Sequence, residues 1–182
     1  MNSADEDYRF IIRYATPADN TLLAELGAET FADTFAADNT PENMSAYLAA
    51  SFSTEKQALE LADAASRFLI IELDCAAVGY ARLNFGQAPV AIAGRKPMEI
   101  ARLYARKAWI GRGVGEQLMK ACLRVAELSG CDVVWLDVWE RNPRAIAFYR
   151  KWHFEQVGTQ TFLLGDDPQN DWLMARSVSS EY

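Results

Sequence analysis

Residues 109–118 read Trp-Ile-Gly-Arg-Gly-Val-Gly-Glu-Gln-Leu, with three alternate glycines set into the start of a helical pattern. Upstream, 99–105 has the make-up of a strand. Downstream, Val114, Leu118, Ala121, Val125 and Leu128 recur at helical spacing, so the glycines sit where a strand gives way to a helix. That junction predicts an anion site. The first N–H groups of a helix lack carbonyl partners, point outward and carry the positive end of the macrodipole, and glycine lets a ligand approach the backbone closely. Two other phosphate motifs fit poorly. A P-loop needs Gly-Lys-Ser/Thr after its glycines, where this chain has Gly115-Glu116-Gln117. A dinucleotide fingerprint needs repeated βαβ units, and only one crossover is evident.

The remaining elements follow from periodicity and turn chemistry. Residues 8–14 alternate around Phe10 and Ile12 as a first strand, and a helix is expected over 18–37 after Thr16-Pro17 and the cap-like Asp19. Thr40-Pro41 opens a short helix through residue 50, and Ser53 or Thr54 caps another through residue 64. Residues 68–73 and 78–85 read as antiparallel strands joined by 74–77, and a Gly/Pro/Ala loop at 86–96 leads to the strand at 99–105. After the central helix and Gly130, the apolar run 132–139 is a strand buried on both faces, parallel to the strand at 99–105 through a right-handed crossover. Asn142-Pro143 starts a helix through about residue 151. Strands at 156–164 and 171–177 then flank a loop at 165–170.

Charge is unevenly spread. Residues 1–80 carry fourteen acids and four bases, whereas 95–151 carry six acids and twelve bases, within a net charge of −7. One part suits a cation and the other an anion; nucleic acid fits neither the acidic balance nor the lack of a basic run elsewhere. Glu25, Glu29 and Asp33 fall at i, i+4 and i+8 on one helix face, which serves equally as a solvated surface or as a wall for a cationic substrate. No apolar run approaches the roughly 18 residues of a membrane span. The stretch 1–7 has neither a basic start nor an apolar core, so a cytoplasmic protein without membrane attachment is expected. Three cysteines, Cys75, Cys122 and Cys131, with no C-x-x-C, read as reduced packing residues rather than a disulfide framework or a metal site.

Three sets of residues carry a family resemblance. The order of elements, Arg112-Gly113-Val114-Gly115-x-x-Leu118, and Asn142-x-x-Ala145-Ile146-Ala147-Phe148-Tyr149 together resemble the GNAT acyl-CoA-dependent N-acetyltransferases over nearly the whole chain. The words at 29–35 and 138–140, Pro41-Glu42-Asn43-Met44 and Leu164-Gly165-Asp166-Asp167 are similar to bacterial PaiA-type spermidine/spermine acetyltransferases. The resemblance implies acetyl-CoA as co-substrate, its pyrophosphate on the amides of Gly111, Arg112, Gly113, Val114, Gly115 and Glu116, with the Arg112 cation beside it. It implies a pantetheine arm paired with the backbone of Leu103 and Ala105, where two parallel strands splay, and hydrogen-bonded by Asn142. Tyr149 would protonate the leaving sulfur, with a packing aromatic as the alternative. Glu99, four residues before Leu103, matches the general base of some members, whereas others use water or backbone. Two positions depart from the family pattern. Ile110 stands where Gln or Arg is usual, and His153, the only histidine, stands where glycine is favoured; a left-handed backbone there would strain histidine.

The expected fold is an α/β (α+β) GNAT-like domain over 1–182: a mixed, mostly antiparallel sheet, early helices on the acidic side, and a central β-α-β acetyl-CoA core. The expected function is acetyl transfer to a primary amine, a polyamine first, with Glu25, Glu29, Asp33 and Glu42 as candidate substrate-binding acids and no metal. A protein N-terminus, a lysine or an aminoglycoside are the alternative acceptors, and a non-catalytic acyl-CoA-binding module is the alternative outside enzymes. A small cationic amine is the expected partner, with a homodimer left open.

Overall fold

The computed structural model describes residues 8–178; the acidic stretch 1–7 lies outside them. Seven strands form one sheet: β1 (Ile11–Tyr14), β2 (Ser66–Leu73), β3 (Ala76–Phe85), β4 (Pro97–Ala105), β5 (Val133–Trp139), β6 (Glu155–Leu164) and β7 (Asp167–Ser177). Their spatial order is β1-β2-β3-β4-β5-β7-β6. All neighbours are antiparallel except β4 and β5, the one parallel pair. The mixed, mostly antiparallel sheet expected from the sequence is the one observed.

Five helices cover it: α1 (Asn20–Phe35), α2 (Pro41–Ser51), α3 (Thr54–Ala62), α4 (Val114–Leu128) and α5 (Pro143–Lys151). The two inner faces of β2 show how the layers are divided. Leu69 and Ile71 pack with Val114, Leu118, Met119 and Cys122 on the α4 side, whereas Phe68 and Ile70 pack with Leu23 and Leu26 of α1 on the other. Strand alternation sends neighbours to opposite faces, which explains why β2 reads as a continuous apolar run. Each fully buried side chain of this kind contributes about 1.5–3 kcal/mol relative to exposure.

Local chemistry sets most boundaries. Thr40 accepts a hydrogen bond from the Asn43 amide with Pro41 at the first helical position, and Ser53 accepts one from the Lys56 amide. The β2–β3 connection is tighter than expected. Asp74 and Cys75 alone make it, with φ of 49° and 64°, the mirror-image turn whose twist matches the strands it joins. Cys75 is therefore exposed in a turn rather than packed, while Cys122 and Cys131 are buried; all three are free.

The last hairpin is also tighter than the 165–170 loop read from sequence. Gly165, at φ 66°, and Asp166 make the turn, and β7 begins at Asp167. Pro168 is tolerated because Trp139, the last residue of β5, pairs with Asp171, so at Pro168 the strand has a neighbour on one side only. Among the described residues no helix is long and apolar enough to cross a membrane.

Candidate active site

The site begins with a failure of strand pairing. β4 and β5 are paired only at Pro97–Val133, Met98–Val134 and Glu99–Trp135. Just beyond, the β3–β4 register shifts from Leu83–Ile100 to Arg82–Arg102, leaving Ala101 as an extra residue in β4. A bulge bends the strand that carries it, so β4 turns away from β5 and a wedge opens between them. The wedge leads into a cleft of about 850 Å³, lined by Ile100 to Ala105 of β4, by Asp137 to Trp139 of β5 and by residues of α5 and the glycine loop. Phe31, Phe35, Tyr47, Phe52 and Phe162 form an aromatic roof; Phe31 and Tyr47 stack with centroids 4.5 Å apart.

At the glycine loop the backbone takes the form that the sequence pattern predicts, while the Arg112 side chain does not. Gly111 and Gly113 have φ of 79° and 86°, and Gly113 is the N-cap of α4. The first amide with a helical acceptor is that of Gln117, on the Gly113 carbonyl at 3.0 Å. The N–H groups of Val114, Gly115 and Glu116 therefore leave the helix end unsatisfied. Gly111, Gly113, Gly115 and Glu116 all line the cleft. Such a helix end can take an anion on its amides without any side chain, and Ile110, where the family pattern has a polar residue, lies on the cleft wall. The side chain of Val114 is buried in the core and contributes its amide only. Arg112 does not line the cleft; its guanidinium lies over the Trp109 ring, 5.5 Å from the centroid, with the Tyr8 hydroxyl 3.4 Å from Nη1. Glu116 pairs with Lys120 on the helix surface.

Leu103, Ala105, Asn142 and Tyr149 meet along the cleft as the sequence reading anticipated. Asn142 also caps α5, its Oδ1 accepting from the Ala145 amide at 3.1 Å. Tyr149 rests against Phe148 and Phe154. Burial, reinforced by Asp137 nearby, pushes its phenol well above the ordinary tyrosine range, so the hydroxyl stays protonated. Glu99 sits on β4 at the last paired register, beside the cleft rather than on its wall, and accepts a hydrogen bond from Asn84 Nδ2 at 2.7 Å. Burial raises its carboxyl above the usual range, with Asp137 adding to the effect.

The acid stripe of α1 turns away from the cleft. Helical spacing places Glu25, Glu29 and Asp33 on one face, but Leu23, Leu26, Thr30 and Phe31 claim the face toward the sheet, and all three acids are exposed. Glu29 pairs with Arg106 instead. Glu42, in the first turn of α2, is exposed as well. None of the four lines the cleft.

Two acids that sequence reading passed over do line it. Asp137 lies mid-strand in β5, with Gln160 Nε2 donating to Oδ2 at 2.7 Å; burial raises its carboxyl. Asp171 lies opposite Trp139 in β7 and is 7% exposed, and its Oδ1 is buried with no hydrogen-bond partner among the described residues. Burial, with Asp137 and Glu140 close by, pushes its carboxyl up to about 7. For Asp137 the signal was a charged residue inside an apolar strand; Asp171, after the polar start of β7, gave none. Arg102, on the same floor, is tied to Glu60 (2.7 Å) and lies over the Phe52 ring.

The model of the Acetyltransferase (GNAT) family matches residues 28–154. The uncharacterized N-acetyltransferase in the pepI 3′ region of Lactobacillus delbrueckii subsp. lactis is 34% identical over 153 residues, covering 84% of this chain and 88% of that one. A probable spermine N(1)-acetyltransferase of Bacillus subtilis subsp. natto is 32% identical over 62 residues, 34% of this chain and 41% of that protein. Among solved structures, the PaiA N-acetyltransferase of Thermoplasma acidophilum in complex with coenzyme A superposes with a TM-score of 0.77 at 21% identity, over 93% of this chain and 99% of that one. With an amide cradle at the start of α4, a splayed parallel strand pair and a family match from 28 to 154, this chain belongs to the GNAT family and is an acetyl-CoA-dependent N-acetyltransferase.

Proposed function

We propose that the enzyme acetylates a primary amine of a polyamine of the spermidine/spermine class, by direct attack of the amine on the thioester. The observation that carries this reading is the make-up of the acceptor side of the cleft. Carboxylates line its floor and edge while aromatic rings roof it. A polyamine alternates ammonium groups with methylene segments, and such a surface offers ion pairing to the first and apolar or cation–π contact to the second. The partial match to a spermine acetyltransferase and the PaiA neighbour point the same way.

Acetyl-CoA supplies an acyl group on a thiol leaving group. The amides of 113–116 hold its diphosphate, with Arg112 of the same loop as an added cation, and the unpaired edges beyond Ala101 leave the Leu103 and Ala105 backbone free to align the pantetheine arm. The nitrogen must lose two protons, one before attack and one as the tetrahedral adduct collapses to the amide, while the sulfur gains one; the second nitrogen proton restores the proton donor. An alkylammonium of pKa about 10.4 has to lose one before it can attack, and Glu99, raised by burial and set behind the cleft wall, accepts it by way of water. Tyr149, held protonated, gives one to the departing sulfur.

A thiol-release assay on a panel of amines tests the proposal. Spermidine and spermine are expected to turn over with kcat/KM about a hundredfold above peptides bearing a free N-terminus, an advantage worth about 2.7 kcal/mol. Rapid turnover on peptides with none on either polyamine overturns it.

A further inference from the structure

We infer that Asp171 is the seat for a second, non-reacting ammonium group of the substrate, and so a determinant of selectivity for amines that carry two cationic nitrogens. This rests on the polyamine reading above and assigns a residue to it.

Four acids lie on or beside this part of the cleft, and three of them have partners: Glu99 accepts from Asn84, Asp137 from Gln160, and Glu140 from Asn170 at 2.7 Å. Asp171 differs. It is more than nine-tenths buried, it lines the cleft, and its Oδ1 is left without a donor among the described residues. A buried acceptor in that state is costly to the fold unless something else satisfies it. Among the described residues no lysine or arginine forms an ion pair with it, and the charged groups that bear on it are two further carboxylates, Asp137 and Glu140. Such a position disfavours an anionic ligand and suits a cationic donor.

Position along the sheet separates this role from the chemistry. Asp137 shares the cleft wall with Tyr149, the proton donor assigned above, and on that assignment belongs to the reacting end. Asp171 is opposite Trp139, two residues farther along β5, a diagonal cross-strand neighbour of Asp137 at roughly 7–8 Å between backbones. That interval is the reach of a short alkylene spacer. An amine poised beside Asp137 thus places its next nitrogen at Asp171.

The test compares Asp171→Asn with the wild type on spermidine and on n-butylamine, which offers the reacting nitrogen but no second one. Loss of one charge-assisted contact is expected to raise KM for spermidine about tenfold to a hundredfold, with kcat within about twofold, KM for acetyl-CoA unmoved and n-butylamine unaffected. The variant's melting midpoint should equal or exceed that of the wild type, because the side chain serves the ligand at the expense of the fold. Equal losses on both amines, or an unchanged spermidine KM, overturn the inference, as does a fall in midpoint with both substrates depressed alike. If the wild type ignores spermidine but acetylates peptides, the polyamine reading fails separately. The same pair of enzymes is then compared on peptides with and without a lysine beside the reacting amine: a loss confined to the lysine peptide upholds the role of Asp171, and its absence overturns it.

Discussion

Tyr149, to which we assign proton donation, has surroundings that suit a core side chain and a proton donor alike. Its ring is held by Phe148 and Phe154, and its hydroxyl shares the cleft with Asp137. Desolvation and the neighbouring carboxylate both favour the neutral phenol, so it carries its proton at every pH at which an amine can be assayed. Tyr149→Phe keeps the ring packing and removes only the hydroxyl. We expect kcat to fall about a hundredfold, the low end of general acid effects because a thiolate is already a fair leaving group, by a similar factor from pH 6.5 to 9. Affinity for coenzyme A, measured by calorimetry, should not move. A kcat equal to that of the wild type across that range would remove the assigned role.

At the scale of elements, the α4 N-terminus combines two separable demands. Gly113 has φ 86°, and a Cβ there would meet only Phe10 at 3.9 Å, so the constraint is conformational rather than steric. Gly115 is helical, and a Cβ there would make an ordinary 3.6 Å contact with Phe148 while standing over the amides that face the cleft. Gly113→Ala should therefore lower stability by about 1 kcal/mol or somewhat more. Gly115→Ala should leave the free protein as stable or slightly more so, while weakening coenzyme A binding about tenfold. Thermal unfolding with and without coenzyme A tells the two apart: the first variant shifts the free curve, the second loses the ligand-induced rise.

This contrast also marks what the sequence could reveal. The loop, the caps at Thr40, Ser53 and Asn142 and the order of elements along the chain were legible because each rests on residues adjacent in the chain. So was the strain at His153, whose φ of 63° is the left-handed backbone that its place in the pattern suggested. The acceptor side was not legible in the same way. Periodicity told which acids of α1 share a face but not which way that face points; the buried residues of the helix decide it. The Asn43 side chain donates to Asp166 at 2.8 Å and lies where a Cβ on Gly165 would collide. That contact joins two sequence words more than a hundred residues apart whose meeting only the fold reveals. Asp137 was hidden for a related reason, since a lone acid in an apolar strand reads as solvent-facing until the cleft beneath it is known, and Asp171 because it follows a polar, turn-like run in which one more acid carries no signal.

For the molecule as a whole, the buried acids predict an unusual dependence of stability on pH. Asp19 behaves conventionally: the Arg13 guanidinium, with hydrogen bonds from Thr16, holds its carboxyl down to about 2. A carboxyl depressed on folding stabilises above its unfolded pKa, near 3.8, and that contribution fades as pH falls toward 2. Asp171 works in the opposite sense. Raised by burial to about 7, it holds a proton in the native state that the unfolded chain releases near 3.8, so its contribution is complete below 3.8 and is lost as pH rises through 7. Glu99 and Asp137, also raised by burial, act in the same direction. Stability should therefore peak in mildly acid solution, near pH 4–5, and decline toward pH 8. Calorimetric melting of the wild type from pH 4 to 8.5 should show the midpoint falling by several degrees over the alkaline half of the range. Asp171→Asn should flatten that fall without altering the acid limb set by Asp19. Saturating spermidine should also flatten it in the wild type, because a cation seated at Asp171 compensates the charge that burial opposes. A wild-type midpoint that rises steadily to pH 8, or a variant that melts with an unchanged slope, would show that Asp171 does not govern the alkaline limb.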